Sequence, residues 1–215
     1  MGGRFVLPGD DPVQNLAEEA QLLQNAAAGP CVRFYINRPC VIMGRNNRPQ
    51  DWVHLDNVRA AGIPLLRRLT GGGSVYHDTD TLNYVFVLPR ALYERSRRGI
   101  PLMDFFRSFI IEALAPLGLE LGRAGLSDLV LHGRKVSGNA ARLTRDGVLF
   151  HGTLLLKVDY DAMERFLPVP PDRPGVSHRR HVTSLAQEGL AHNKEALMDA
   201  LARVAVARFS ADNPK

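Results

Sequence analysis

Residues 67–78 read Arg67-Arg68-Leu69-Thr70-Gly71-Gly72-Gly73-Ser74-Val75-Tyr76-His77-Asp78. Three consecutive glycines remove every Cβ from one stretch of backbone. A ligand can then approach the peptide N–H groups directly, and such groups form anion-binding concavities. The two guanidinium forks just before them match phosphate and carboxylate oxygens. The plainer reading is a hairpin loop that needs positive φ, which two glycines would already serve. No Gly-Lys-Ser/Thr follows, which excludes a P-loop, and the glycines are contiguous, which excludes the dinucleotide fingerprint.

A second group is Gly133-Arg134-Lys135-Val136-Ser137-Gly138-Asn139-Ala140. Ser137, Gly138 and Ala140 are small and leave space beside Lys135, whose fixed ammonium suits the charge that develops when a carboxylate meets a phosphate. On residue pattern alone, an exposed hairpin lysine accounts for it equally well. In Phe150-His151-Gly152-Thr153-Leu154-Leu155 a histidine beside glycine sits within a very apolar run. His151 could bond a phosphate or a ribose, or be a satisfied strand-end histidine. His77 with Asp78 could form a general-base pair, and Asn83 follows closely. Asp128 could hold Mg²⁺ near a triphosphate, since Mg²⁺ takes one or two carboxylates plus phosphate oxygens; by residue type alone a turn aspartate is the stronger reading.

These residues need a scaffold. Asn15 is expected to cap a helix whose first turn carries Glu18 and Glu19, with Leu16, Ala20 and Leu23 on one face and Gly29-Pro30 at its end. Strands are expected over Val32 to Asn37 and Val41 to Gly44, a helix over Asp51 to Ala61 stopped by Gly62, and a strand over Ile63 to Leu69 entering the glycine loop. Further strands are expected at Ser74 to Tyr76 and Thr81 to Leu88, then an amphipathic helix over Leu102 to Leu117. From Asp128 the pattern is a meander. His132-Gly133 and Asp146-Gly147 are hairpin turns joining strands at Leu129 to Leu131, Lys135 to Leu143 and Val148 to Val158. A short helix at Asp161 to Leu167, a proline-rich basic loop over Pro168 to His181 and a helix over Lys194 to Phe209 capped by Asn193 complete the chain. Strands that come as hairpins, out of strict alternation with helices, predict an α+β fold on a mostly antiparallel sheet.

The 215 residues are 45% hydrophobic and 23% charged, ordinary for a globular protein. No apolar run reaches the roughly 20 residues of a membrane helix, and no signal sequence is evident at the start, so a cytoplasmic protein is expected. Two cysteines, Cys31 and Cys40, are too few for a disulfide framework or a closed zinc site. The net charge is +5, carried mainly by arginine, but no basic helix alternates with aromatics and no nucleic-acid motif occurs. The basic bias instead admits an acidic partner.

In this order and spacing, the segments Arg67–Asp78, Arg134–Ala140 and His151–Leu155 resemble the lipoate-protein ligase and lipoyltransferase family, which is related to biotin ligases. Asn15-Leu16-Ala17-Glu18-Glu19, Val41–Arg45 and Arg180–Leu185 add to the resemblance, which covers nearly the whole chain. It implies a large mostly antiparallel sheet plus a smaller one with flanking helices, residues 1–215 forming one catalytic domain. It implies an ATP- and Mg²⁺-dependent activation of lipoate to lipoyl-AMP, followed by attack of a carrier lysine. By the match, Lys135 is the central catalytic residue and contacts the nucleotide. Arg68, Gly73, Ser74, Val75, Tyr76 and Asp128 bind ATP or the adenylate, with Asp128 also the candidate metal ligand. Thr70, Gly71, Gly72, His77, Asn83, Gly138, Ala140, His151, Gly152 and Thr153 form the lipoate and adenylate pocket. The implied partners are acidic lipoyl carrier domains of 2-oxoacid dehydrogenase acyltransferases or the glycine-cleavage carrier, without nucleic acid or membrane.

The sequence departs from the family at Phe150, where many members have a second histidine, and at Ser127, where asparagine often precedes the aspartate. It stops soon after Phe209, so no C-terminal accessory domain is expected. That leaves open a separate accessory protein or transfer from preformed lipoyl-AMP. Octanoyl transfer through a cysteine thioester and a non-catalytic carrier-binding role stay open as well.

Overall fold

The computed structural model describes residues 9–169, 175–190 and 193–211. In chain order the elements are α1 (Pro12–Gln24), a 3₁₀ turn (Ala26–Ala28), β1 (Cys31–Tyr35), β2 (Cys40–Met43), α2 (Pro49–Trp52), α3 (Leu55–Ala61), β3 (Leu65–Arg67), β4 (Val75–His77) and β5 (Thr81–Pro89). They continue with α4 (Arg90–Ser96), α5 (Leu102–Leu114), a second 3₁₀ turn (Ala115–Leu117), β6 (Gly122–Ala124), β7 (Asp128–Leu131), β8 (Arg134–Leu143), β9 (Gly147–Leu155), α6 (Tyr160–Phe166), α7 (His178–His181) and α8 (Lys194–Ala211).

Six strands form an antiparallel sheet in the order β1-β5-β9-β8-β7-β6, and three form a smaller one, β3-β2-β4. The expected α+β architecture is what the chain adopts. Parallel pairing enters in the small sheet, between β2 and β3. The interior strand β5, between β1 and β9, is buried on both faces. Its alternation sends Leu82, Tyr84, Phe86 and Leu88 into the main core with Phe105, Phe106, Phe109 and Ile110 of α5 and Leu197 and Leu201 of α8. Val85 and Val87 face the other way, towards Leu23 and Tyr35. The small sheet has its own core, where Val41 and Met43 pack with Val58, Met163 and Phe166.

The hairpin turns fall where Gly and Asp marked them. His132 and Gly133 have φ of 50° and 77°, the two positive angles a type I′ turn requires. Several boundaries differ. Asp11, not Asn15, caps α1 by accepting from Val13 N at 3.0 Å, which moves Glu18 and Glu19 out of the first turn. The expected helix over Asp51 to Ala61 is two short helices. His54 N leaves the helical pattern to bond Phe166 O at 2.9 Å, and Val53 is extended. Strand β6 and helix α4 carry too little periodic apolar sequence to be expected. The loop expected over Pro168 to His181 contains the single turn α7, and residues 170–174 of it lie outside the described residues.

Candidate active site

A cavity of about 400 Å³ is lined by residues of both sheets together with Leu16 of α1 and His178 and His181 of α7, a size usual for small-molecule sites. Of the residues singled out in the sequence, Arg68, Gly72, Gly73, Ser74, Val75, Tyr76, His77, Asn83, Asp128, Lys135, Gly138, Ala140, His151, Gly152 and Thr153 all line it. Thr70 and Gly71 do not. Thr70 is buried behind the wall, and Gly71 lies on the exposed part of its loop.

Lys135 sits near the start of β8, just past a register shift between Leu129 and Val130 of β7. Its Nζ lies 2.8 Å from Asp128 Oδ1, and His181 Nε2 is 3.8 Å from Asp128 Oδ2. The backbone around Lys135 is held from the other side by Thr183 N, which donates to Lys135 O at 2.8 Å. A Cβ at position 138 would lie 3.0 Å from both Lys135 Cε and Nζ, so Gly138 makes the room the ammonium occupies. Beneath it Tyr84 Oη donates to Asn139 Oδ1 at 2.5 Å and lies 2.8 Å from Ser137 Oγ. Burial pushes the Tyr84 phenol pKa up, so it remains a hydrogen-bond donor in that wall.

The glycine loop is braced by the arginines before it. Arg68 donates Nε–H to Thr70 Oγ1 (3.0 Å), Nη1 to Ile42 O (3.3 Å) and Nη2 to Gly71 O and Gly73 O (2.7 and 2.8 Å). Four of its five N–H groups are thereby spent inside the protein. Arg67 Nη1 does likewise with the carbonyls of Gly44, Arg45 and Asn47. The forks expected to grip a phosphate therefore hold main chain. Burial, outweighing Glu19 nearby, brings the Arg68 pKa down to about 10, which leaves it a cation at neutral pH. Gly72 has φ of 90°, and Gly44 passes so close beneath that a Cβ there would lie 1.9 Å from Gly72 O. Both positions require glycine. With the carbonyls committed to Arg68, Ser74 Oγ is buried and without a partner among the described residues.

The loop has a second anchor that the motifs do not announce. Thr70 Oγ1 lies 2.7 Å from His151 Nε2, and His151 Nδ1 lies 2.7 Å from Glu19 Oε2. Tyr35 Oη donates to Glu19 Oε1 at 2.7 Å. Burial alone would raise the Glu19 carboxyl, but His151 and Tyr35 more than offset it, and the pKa is lowered. The sequence suggests only a helix-dipole role for Glu19. Its spacing of four from Asn15 places both on one buried face of α1, and that spacing is the signal that could have found it. His77 is not paired with Asp78. Its Nδ1 meets Asn37 Nδ2 at 3.0 Å, while Asp78 accepts from Asp80 N and Thr81 Oγ1. Tyr35, Trp52 and His178 also line the cavity without a sequence signal strong enough to name them, while Asn139 and His181 lie in segments that carry the resemblance but have no role assigned from the sequence.

No group of three His, Cys, Asp or Glu side chains able to hold a metal occurs among the described residues, and Asp128 is the one carboxylate in the cavity wall as described. Neither cysteine lines the cavity. Cys40 is buried, and burial pushes its thiol pKa up to about 12. No described helix is long and apolar enough to cross a membrane.

The family model for the lipoyl protein ligase A/B catalytic domain matches residues 11–209. Lipoate–protein ligase 1 of Staphylococcus aureus is 35% identical over 162 residues, covering 75% of this chain and 48% of that protein. The chain spans about half the length of the curated relatives it matches. Among solved structures, a chain from the archaeal lipoylation system of Thermoplasma acidophilum, a bi-partite lipoate protein ligase and its E2 lipoyl domain, superposes with a TM-score of 0.82 at 26% identity. That superposition covers 98% of this chain and 84% of the other. A lipoate-protein ligase A bound with ATP superposes with a TM-score of 0.81 at 25% identity, covering 98% and 86%.

Proposed function

The chain belongs to the lipoyl protein ligase A/B catalytic domain family, and from that membership we propose that it activates lipoate with ATP and passes the lipoyl group to a lysine of a lipoyl carrier domain. In the first step a lipoate carboxylate oxygen bonds the α-phosphorus and the bond to the β-phosphate bridge breaks, giving lipoyl-AMP and pyrophosphate. In the second the carrier lysine's amine bonds the acyl carbon, AMP leaves, and the amine gives up a proton as the amide forms. Residues 1–215 act in this reading as one catalytic domain.

The observation that carries the proposal is the Lys135 ammonium, fixed by Asp128 and given room by Gly138 in a cavity that also contains a backbone-only glycine loop. A positioned cation stabilises the charge that builds on the carboxylate and α-phosphate in both steps. Ser74 Oγ and the peptide groups of Gly73, Val75 and Tyr76 are the donors for the nucleotide. Arg68 acts through the loop it braces. Thr70 and Gly71 serve the same brace, while Gly72, His77, Asn83, Ala140, His151, Gly152 and Thr153 form the acyl wall. Mg²⁺ would arrive with the triphosphate, held mainly by phosphate oxygens and water. Asp128 is better assigned to Lys135, because its oxygens face Lys135 and His181. The net charge of +5 suits an acidic carrier through steering, such as those of 2-oxoacid dehydrogenase acyltransferases or the glycine-cleavage system. The bi-partite description of the Thermoplasma acidophilum relative supports a variant in which a separate accessory protein completes this chain. Octanoyl transfer through a thioester is disfavoured by the cavity wall, where no described residue is a cysteine.

The test is lipoate-dependent ATP–pyrophosphate exchange by the purified chain with Mg²⁺ and no carrier. Exchange is the expected result. Transfer from supplied lipoyl-AMP without exchange would mean that activation needs a partner, and silence in both assays would overturn the proposal.

A further inference from the structure

The hydrogen-bond directions around His77 follow from one fixed point. A guanidinium can only donate. Arg33 Nη2 lies 2.5 Å from one amide atom of Asn15, which must therefore be the oxygen, Oδ1. Asn15 Nδ2 is then a donor, and it does face carbonyls, Gly9 O at 3.2 Å and Ile36 O at 3.3 Å. It donates to Asn37 Oδ1 at 2.8 Å, which leaves Asn37 Nδ2 to donate to His77 Nδ1 at 3.0 Å. His77 Nδ1 therefore offers a lone pair, and the ring proton is on Nε2. Burial first, then Arg68 and His151, push the His77 pKa down to about 3, so the ring is neutral.

His77 Nε2 is buried and has no hydrogen-bond partner among the described residues. A buried N–H donor left without an acceptor is rare and calls for a ligand or another explanation. His77 lines the cavity. It bonds Asn37, just past the edge strand β1, whereas Lys135 on β8 bonds Asp128 on β7, and strands β5 and β9 lie between. The two groups thus belong to different ends of one cavity. With the substrate carboxylate at Lys135, what reaches His77 is the far end of the acyl chain.

We propose that His77 determines acyl specificity: its Nε2–H donates to a dithiolane sulfur of lipoate, for which the all-carbon tail of octanoate has no counterpart. Sulfur is a weak acceptor, so the effect is a preference and not an absolute gate. The inference rests on the lipoate-ligase reading above and adds to it which of two similar acids the site favours.

The experiment is calorimetric titration of the full chain with lipoate and with octanoate, in the wild type, His77→Leu and His77→Gln. The wild type is expected to bind lipoate more tightly. His77→Leu should lower the ratio of the octanoate Kd to the lipoate Kd about three- to tenfold, the range of one hydrogen bond. His77→Gln, which can accept from Asn37 and donate onward, should retain part of that ratio. Equal affinity for the two acids in the wild type, or equal weakening of both in His77→Leu, would overturn the inference and leave the ligase reading standing. Binding of neither acid by the wild type would remove the ligase reading itself. Should His77→Leu fail to fold, the wild type still decides through its ¹⁵N-histidine spectrum. The Nε2–H signal of His77 should move with lipoate and stay with octanoate, and equal movement would refute the proposal.

Discussion

His151 Nδ1 lies 2.7 Å from Glu19 Oε2, although 132 residues separate the two in the chain. The contact closes a relay of buried polar groups. Arg68 Nε–H donates to Thr70 Oγ1, Thr70 Oγ1 lies 2.7 Å from His151 Nε2, and His151 Nδ1–H donates to Glu19. The relay ties the first helix, through the central strands, to the loop whose peptide groups face the cavity.

Glu19→Gln tests that tie. The amide can accept from His151 or from Tyr35, but its NH₂ then faces a donor in place of an acceptor. Leaving one buried donor unmatched costs about 1–3 kcal/mol. Urea unfolding should register that loss. The KM for ATP should rise while residual turnover persists, because the loop is loosened and the cation at Lys135 is untouched. Wild-type stability in Glu19→Gln would show that the relay carries no strain-sensitive contact.

Arg68→Lys separates bracing from direct phosphate contact. Lysine keeps the charge but lacks the planar fork, and it cannot reach Thr70 Oγ1, Ile42 O, Gly71 O and Gly73 O together. Loss of several buried bonds should destabilise the chain by about 2–4 kcal/mol and lower thermal unfolding clearly. A phosphate-gripping arginine would instead give a variant of near-normal stability with weak ATP binding. Thermal unfolding with and without ATP distinguishes the two.

The sequence exposed the residues that meet a ligand better than those that hold them. Gly71-Gly72-Gly73, Lys135 and His151 stand out because an unusual residue type must be tolerated locally: a missing Cβ, a charge among small side chains, an imidazole in an apolar strand. The hairpins were legible because His132-Gly133 encodes its own turn angles and Asp146-Gly147 marks the end of a turn closed by Thr144 N donating to Gly147 O at 2.9 Å. The relay was not. Glu19 looks like a surface charge on a helix, and only the packing of α1 against the paired strands β1, β5 and β9 brings it to His151. The orientation of Arg68 was likewise hidden, since a guanidinium suits a phosphate and four carbonyl or hydroxyl oxygens equally well.

Lys135→Ala should abolish lipoate-dependent exchange, because no other described cation is placed beside Asp128 in the same geometry. It should also destabilise. Asp128 is 4% exposed at its side chain, and without Lys135 its carboxylate loses a partner at 2.8 Å. With Lys135 itself a quarter exposed, the cost is about 1–3 kcal/mol. Adding Asp128→Asn removes the buried negative charge, so the double variant should recover stability without recovering exchange. Recovery of both would take catalysis away from Lys135.

Stability should fall on mild acidification, and His77 should account for a measurable part of the fall. Its folded pKa is about 3, depressed first by burial, against an ordinary value of 6.5. Between these limits the unfolded chain binds a proton that the folded chain refuses, so unfolding becomes easier as pH drops below 6.5 and is unaffected above it. Each such group contributes a slope of about 1.4 kcal/mol per pH unit. His178, also lowered by burial, acts in the same direction. The lowered carboxyls of Glu19 and Glu188, with an ordinary value of 4.5, add their losses only further into acid. Asp78, raised by burial, acts in the opposite direction, so His77 is isolated by comparison with a variant that keeps Asp78. Urea unfolding from pH 6.5 to 4.5 should give a steeper loss for the wild type than for His77→Gln, by about one proton's slope. Parallel curves would mean that His77 takes up its proton in the folded protein over this window as readily as in the unfolded chain, and that burial does not hold the ring neutral there.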